Sequence, residues 1–219
     1  MADAGFPSDG SGIPIANSAL TLVGTRLISA ATDSSKECKL VSTNWDTYRR
    51  AALREGLWKF AKEQVQLVAD PDYAPITGFS IRYPLPADYL RLVSFNDVKG
   101  DADGSGAPYR VMGDFIYSNM SYANIIYISD VTDVSMFDPL FCEYLSAYIY
   151  DKLCKTLTGA APDPKILMKA KRIAAYVDSV EDPSMQLDID VWLQSRVGGP
   201  MLHRDPPFPP WNGGATPGT

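Results

Sequence analysis

The chain has one histidine, three cysteines and no long apolar run among its 219 residues. The histidine, His203, lies in a proline-rich stretch without a rigid group to orient it, which argues against Ser–His or Cys–His catalysis. Cys38, Cys142 and Cys154 are odd in number and widely spaced, which predicts reduced, semi-buried thiols and no zinc site. No run approaches the roughly eighteen apolar residues of a membrane span, and the first twelve residues do not resemble a signal peptide.

Positive charge is also scarce. Twenty basic residues face 26 acidic ones, giving a net charge of −6 and a pI of about 4.8. An acidic surface repels phosphate, so non-specific binding to nucleic acid or to an anionic membrane is not favoured. Negative charge would suit the wall of a conduit through which DNA slides. Plain solubility explains the same number, and both interpretations stay open.

What is present is the composition of a folded protein. Hydrophobic residues make up 46% of the chain and charged residues 21%, both ordinary for a globular protein. The length fits one large domain or two small ones. A compact chain of this size removes roughly 70% of its unfolded surface from water. We therefore expect a substantial core.

Two helices are predicted in the first sixty residues, after a flexible extension, Met1–Gly12, that is rich in Gly, Ser, Asp and Pro. Apolar residues recur with helical spacing over about Pro14–Ile28. A longer helix is predicted from about Ser35 to Ala61, because Ser34-Ser35-Lys36-Glu37 matches a capping box. One stripe of this longer helix is apolar and contains Cys38, Val41, Trp45, Tyr48 and Ala52.

Short alternating runs separated by proline and glycine follow Lys62, and they predict the strands of an antiparallel module. The runs are Gln64–Val68, Gly78–Tyr83, Tyr89–Phe95, Tyr109–Met112, Phe115–Ser118 and Asn124–Ser129. Pro84-Leu85-Pro86 breaks any ladder between the second run and the third. Asp101–Gly106 predicts a surface turn.

Two Asp-Pro pairs each mark the start of a further helix, because aspartate caps the first turn and proline suits the first helical position. Asp138-Pro139 begins a helix that extends to about Thr158. Asp163-Pro164 begins a fourth helix, whose apolar residues repeat in alternating steps of four and three, as in a bundle seam. These residues are Ile166, Ala170, Ile173, Val177 and Val180.

Seven of the 17 prolines follow Asp182, and this density predicts an extended arm. The whole chain is therefore predicted to be α+β, with a four-helix bundle, an inserted antiparallel β module and an extended Pro-rich C-terminal arm. The predicted organisation is a flexible extension over residues 1–12, a helical bundle built from 13–61 and 137–182, a β module over 62–136 and the arm over 183–219.

Several short motifs occur in a characteristic order. The N-terminal half contains Asn17-Ser18-Ala19-Leu20-x-x-Val23-Gly24, Tyr48-Arg49-Arg50-Ala51-x-Leu53-Arg54 and Trp58-Lys59-Phe60-Ala61. The middle contains Tyr83-Pro84-Leu85-Pro86-Ala87-Asp88-Tyr89-Leu90-Arg91. The C-terminal half contains Ile126-Tyr127-Ile128-Ser129-Asp130-Val131-Thr132-Asp133, Phe137-Asp138-Pro139-Leu140-Phe141 and Leu157-Thr158-Gly159.

Together these motifs resemble the head-to-tail adaptors, or tail tubular protein A family, of short-tailed bacteriophages. The resemblance covers about Ile15 to Asp182. It implies a structural virion protein in the neck, assembled in the host cytoplasm as a ring of twelve copies. It also implies portal protein above the ring and tail nozzle protein below it, with genomic DNA passing through an axial channel without sequence-specific binding. Residues 1–12 and the Pro-rich end depart from the family.

The arm has more large apolar side chains than a spacer needs. We expect it to dock on the portal or on a neighbouring subunit through Trp192, Leu202, Phe208 and Trp211. In the β module, the loop Asp97–Pro108 is expected to contact the neighbouring tail component, and its charged residues are Asp97, Lys99, Asp101 and Asp103. Neither a catalytic residue nor a metal, a cofactor or a membrane contact is predicted.

Acidic pairs keep other functions open. Asp101-x-Asp103-x-Ser105-Gly106 matches the first half of a calcium loop, but the twelfth position is Met112 and cannot supply the bidentate carboxylate. The neighbouring acids Asp130 and Asp133 keep open the alternative of a small tail-associated hydrolase, and so do Glu181 and Asp182. A head-completion or stopper protein is a further alternative.

Two side-chain groups of the long helix have more than one interpretation. The aromatic residues Trp45, Tyr48, Trp58 and Phe60 are predicted to pack in the core, with a subunit interface as the alternative. The basic cluster Arg49, Arg50 and Arg54 is predicted to be a solvated or inter-subunit face rather than a DNA site.

Overall fold

The computed structural model describes residues 6–75, 78–99 and 108–181. These residues form four α-helices: α1 (Ile13–Val23), α2 (Lys36–Glu55), α3 (Pro139–Thr158) and α4 (Pro164–Glu181). They also form seven strands: β1 (Lys62–Leu67), β2 (Ile81–Pro84), β3 (Tyr89–Phe95), β4 (Val98–Lys99), β5 (Tyr109–Met112), β6 (Phe115–Ser118) and β7 (Ala123–Ser129). Short 3₁₀ helices lie at Lys59–Ala61 and Val134–Met136.

Helix α1 ends five residues before the predicted boundary at Ile28. Gly24 adopts a left-handed conformation with φ of 78°, and its N–H donates to the carbonyl of Leu20, a common way to end a helix. The chain then folds back. The Asn17 side chain accepts from the N–H of Ile28 at 2.8 Å and donates to its carbonyl at 2.9 Å. This double contact holds the segment after α1 against the helix.

Helix α2 is capped by Ser35, whose hydroxyl accepts from the N–H of Cys38 at 3.3 Å. The cap therefore lies one residue beyond Ser34, the first residue of the predicted capping box. The helix ends at Glu55, six residues before the predicted end. Gly56 is extended there, and a Cβ on it would lie 2.8 Å from the Trp58 ring. The Trp58 indole N–H donates to the carbonyl of Ala52 at 3.0 Å. The indole therefore folds under the last turn of α2, and only glycine leaves room for it.

The strands form two antiparallel sheets, one four-stranded in the order β1-β7-β3-β4 and one three-stranded in the order β2-β6-β5. All six predicted strands are confirmed, and β3, β5 and β6 have the predicted bounds. The two-residue strand β4 was not predicted.

The four-stranded sheet lies between the helices and the second sheet. Successive side chains of β7 point to opposite faces. Ile128 belongs to the helical core, whereas Ile125 and Tyr127 belong to the core between the sheets. In that second core Phe95 packs on Tyr109 with 4.7 Å between ring centroids. The fold is thus three layers: helices, sheet and sheet.

The predicted α+β class agrees with the structure, but the predicted four-helix bundle is wrong. In a bundle each helix packs on neighbouring helices around a shared core. Among the described residues, the extensive helix–helix contacts are α1–α3, α2–α3 and α3–α4, and α2 also contacts β3. Helix α3 is the central element because it is apolar on nearly every side. Its buried residues are Phe141, Tyr144, Leu145, Ser146, Ala147, Ile149, Tyr150, Leu153 and Cys154.

The predicted extension Met1–Gly12 is described from Phe6 onward. The Phe6 side chain is buried and packs edge-on against Trp45, with 5.1 Å between ring centroids. Gly12 is also in close contact with this ring, since a Cβ there would lie 3.0 Å from Trp45. Residues 6–12 are therefore part of the helical layer.

Candidate functional site

The loop predicted to contact the tail begins with a tight hairpin turn. Asn96 and Asp97, between β3 and β4, have positive φ of 45° and 66°, the geometry of a type I′ turn. The Asn96 side chain accepts from the N–H of Asn124 at 2.7 Å and donates to the carbonyl of Tyr122 at 3.0 Å. The turn is thereby fixed to the start of β7. Asp97 is exposed at its tip.

The other predicted contact residues are not brought together by the described part of the chain. The backbone of Lys99 ends β4. The remaining predicted contact residues lie outside the described residues: Asp101, Asp103, Trp192, Leu202, Phe208 and Trp211. The same is true of His203 and of Asp182, the second acid of the Glu181–Asp182 pair. The docking roles of the arm and of this loop therefore stay predictions.

A buried ion pair joins the helical layer to the end of the central sheet. Arg49 of α2 is 1% exposed. Its guanidinium contacts the carboxylate of Asp130, just after β7, and donates to the carbonyl of Val131 at 2.6 Å. Asp46 contacts the same guanidinium at 3.2 Å, and Arg50 contacts the other Asp130 oxygen at 2.7 Å. The prediction that Arg49 faces solvent or a neighbouring subunit is wrong, because two carboxylates and a carbonyl satisfy it internally.

Structural contacts also account for Asp130 and Asp133, one of the two acidic pairs named for the hydrolase alternative. Asp130 is 12% exposed in its side chain and pairs with both arginines. Asp133 accepts from the N–H of Ser135 at 2.9 Å, which caps the short helix Val134–Met136. Its hydrogen bonds with Ser135 hold the pKa of the Asp133 carboxyl below its usual value. Both carboxylates thus have structural partners.

Glu63 and Asp88 share one tyrosine hydroxyl. Tyr127 is buried between the sheets, and its hydroxyl lies 3.1 Å from Glu63 Oε2 and 3.2 Å from Asp88 Oδ1. Burial raises the pKa of the Tyr127 phenol above its usual value, and the hydrogen bond to Glu63 and the charge of Asp88 act in the same direction. The phenol is therefore a proton donor, and it holds two carboxylates at one margin of the central sheet. We call Glu63 and Asp88 the acidic edge.

Sequence reasoning did not find the acidic edge. The antiparallel register places Glu63 of β1 opposite Tyr127 of β7, although the two residues are 64 positions apart in the chain. Asp88 reaches the same hydroxyl from the start of β3. A register between distant strands has no local sequence signal, so only the fold could show this cluster.

The aromatic residues of the N-terminal half pack inward. Trp45 and Trp58 are each 1% exposed. Trp58 packs on Phe141 of α3 with 5.0 Å between ring centroids, and Phe60 packs on the same ring at 5.1 Å. Tyr48 is half-buried against α3. The core interpretation is confirmed for the two tryptophans.

The three cysteines are free thiols, as predicted. Cys38 and Cys154 are buried, and Cys142 is half-buried on α3. Burial raises the pKa of Cys38 and of Cys142, which favours the unreactive thiol form. These side chains fill space in the helical core.

The outward surface of α4 is basic. Between Pro164 and Val177 the helix has four cations and no carboxylate. All four are exposed, and Met168 lies among them with 49% exposure. We call this surface the basic face, and its residues are Lys165, Met168, Lys169, Lys171 and Arg172. Within the described part of the chain, only Lys169 of these cations forms an ion pair, with Glu143 at 2.5 Å.

An open groove of about 470 Å³ follows the N-terminal half of α2. Its lining residues are Ser34, Lys36, Lys39, Leu40, Thr43 and Asn44. No carboxylate, histidine or cysteine is among these lining residues, so no carboxylate or imidazole is there to act as a general base for the Ser34 or Thr43 hydroxyl.

Residues 6–75, 78–99 and 108–181 contain no group of three or more His, Cys, Asp or Glu placed to hold a metal ion. The calcium-like stretch Asp101–Gly106 lies outside them. None of the described helices is long and apolar enough to cross a membrane.

No family model matches the chain, and no curated protein is significantly similar to it.

Proposed function

We propose that this chain is a structural virion protein, the head-to-tail adaptor subunit of a short-tailed bacteriophage. It forms a ring, of twelve copies by family resemblance, between the portal and the tail nozzle. DNA passes through the axial channel. The proposed role is assembly and not catalysis, and the protein would be found in the neck of the virion after assembly in the host cytoplasm.

The proposal is carried by the observation that motifs resembling those of the adaptors contact one another in the folded chain. Arg49 of the Tyr48–Arg54 motif makes its buried ion pair with Asp130 of the Ile126–Asp133 motif, which lies 81 residues further along the chain. Trp58 of a third motif packs on Phe141 of a fourth. The motifs thus form the junction that fixes the helices to the central sheet. Motifs that contact one another support a fold shared with the adaptor family better than motifs scattered over the surface would.

The surfaces of the chain support an assembly role. A basic helix face and an acidic sheet margin occur on the same subunit, and complementary surfaces of this kind suit contacts between identical copies. A head-to-tail contact between copies closes into a ring when its rotation allows. A ring of acidic subunits also gives DNA a path that does not hold it strongly.

Portal binding tests the proposal. The chain should co-sediment with purified portal rings of a short-tailed phage that encodes it, and bound copies should be counted by native mass spectrometry. We expect saturation at twelve copies per portal ring. A chain that stays unbound with portal in excess would contradict the adaptor role.

A further inference from the structure

The basic face and the acidic edge belong to different layers of the molecule. Helix α4 packs on α3 at the outside of the helical layer. Tyr127, which holds the acidic edge, projects from the other face of the central sheet, toward the three-stranded sheet. Among the described residues, none of the four cations of the basic face pairs with Glu63 or Asp88 within one copy.

We propose that the basic face of one copy docks on the acidic edge of the next copy. The inference rests on the proposed function, because the ring requires two different, complementary surfaces on each subunit. It assigns those surfaces: Lys165, Lys169, Lys171 and Arg172 on one side, and Glu63 and Asp88 on the other.

The acidic edge is suited to receive cations. One phenol hydrogen serves both carboxylates, so most of their lone pairs are left for water or for a partner. The Tyr127 hydroxyl holds the two groups in place before binding, which lowers the entropy lost on docking. Glu63 is exposed on β1, the edge strand of the sheet. A planar guanidinium such as that of Arg172 can bind a carboxylate through two hydrogen bonds.

One large apolar side chain lies within the basic face. Met168 is 49% exposed there. Methionine and arginine are enriched in protein interfaces, whereas charge alone gives specificity more than affinity. Contact between the two surfaces would remove the Met168 side chain from water.

DNA is the main rival for the basic face. A second copy is favoured because the chain supplies a complementary acidic surface, whereas its net charge of −6 repels a polyanion. The acids of the chain's own C-terminal stretch, such as Asp188 and Asp190, are another rival. The experiment separates these occupants.

Zero-length cross-linking with a carbodiimide joins a lysine to a carboxylate that contacts it. Equal amounts of ¹⁵N-labelled and unlabelled chain should be mixed at roughly millimolar concentration in low salt, where charge attraction is least screened. We expect peptides that join α4 lysines to Glu63 or Asp88 and that contain one labelled and one unlabelled partner. Their absence would overturn the proposal, as would links from α4 to the acids after Asp182 alone.

Charge-neutral variants give a second test. Glu63→Gln with Asp88→Asn removes both charges but keeps acceptors for the Tyr127 hydroxyl. We expect it to weaken self-association in sedimentation about tenfold, equivalent to about 1.4 kcal/mol. Lys165→Gln with Arg172→Gln should weaken self-association to the same extent. In a mixture of the two double variants only one basic face and one acidic edge remain complementary, so we expect dimers and no larger assemblies.

Matched controls remove equal charge elsewhere. Asp72→Asn with Asp114→Asn changes exposed acids of the β module, and Lys39→Gln with Lys155→Gln changes exposed cations of other helices. Neither should alter association; equal weakening by controls and test variants would overturn the proposal. If the wild-type chain forms portal-bound rings that the test variants also form normally, the adaptor role stands and this interface is wrong. If no chain binds portal but the cross-links appear, the interface stands and the adaptor role fails.

Discussion

Arg49 and Arg50 are adjacent in the sequence and contact the same carboxylate, Asp130, from different environments. The Arg49 side chain is 1% exposed and that of Arg50 is 57% exposed. Arg49→Ala would leave the Val131 carbonyl without its guanidinium donor and Asp130 with only a solvent-exposed partner. Removing one member of a buried ion pair typically costs about 3–5 kcal/mol. We expect Arg49→Ala to lower the free energy of unfolding by that amount, and Arg50→Ala by less than about 1 kcal/mol, because exposed pairs contribute little.

Urea unfolding followed by tryptophan fluorescence and by circular dichroism measures both changes, and an unchanged slope shows that the comparison is valid. A double-mutant cycle with Asp130→Ala isolates the coupling between the two charges. Equal losses for Arg49→Ala and Arg50→Ala would refute the conclusion that the Arg49–Asp130 pair fixes the helices to the sheet.

Three further changes have defined outcomes. Trp45→Ala removes a fully buried ring that packs on Phe6 and should cost about 3–5 kcal/mol in urea unfolding; a variant that melts normally but fails to assemble would place Trp45 in an interface. Tyr127 binds its proton more tightly when folded, so stability should fall as pH rises above about 10, and Tyr127→Phe should reduce that fall; an unchanged pH profile would contradict the assignment. Deleting the residues after Ser195 should leave the monomer's melting temperature unchanged and abolish portal attachment in co-sedimentation; a destabilised monomer that still attaches would contradict the arm's docking role.

The sequence predicted local elements well where local signals were strong. Asp138-Pro139 gave the start of α3, and the alternating runs gave β3, β5 and β6 with the observed bounds. The end of α2 was missed because it depends on the Trp58 indole folding against Gly56, a contact with no periodic signal. The hairpin at Asn96-Asp97 did have a signal, since two such residues between apolar runs favour a type I′ turn.

The packing of the helices could not be predicted from their seams. The apolar residues of α4 do pack against the helical core, but their spacing alone does not show which element they pack on. Here α3 occupies the centre, and the central sheet takes the place of bundle neighbours. In the same way the burial of Arg49 depends on Asp130, 81 residues away. Long-range pairing of charges and strands is decided by the fold as a whole.

The most direct test of the adaptor role is cryo-electron microscopy of the purified virion neck, with this chain identified by fitting the three-layer fold. We expect a ring of twelve copies between portal and nozzle, with α4 of each copy facing Glu63 and Asp88 of its neighbour. A neck density without this fold, or the chain found elsewhere in the particle as a monomer, would contradict it.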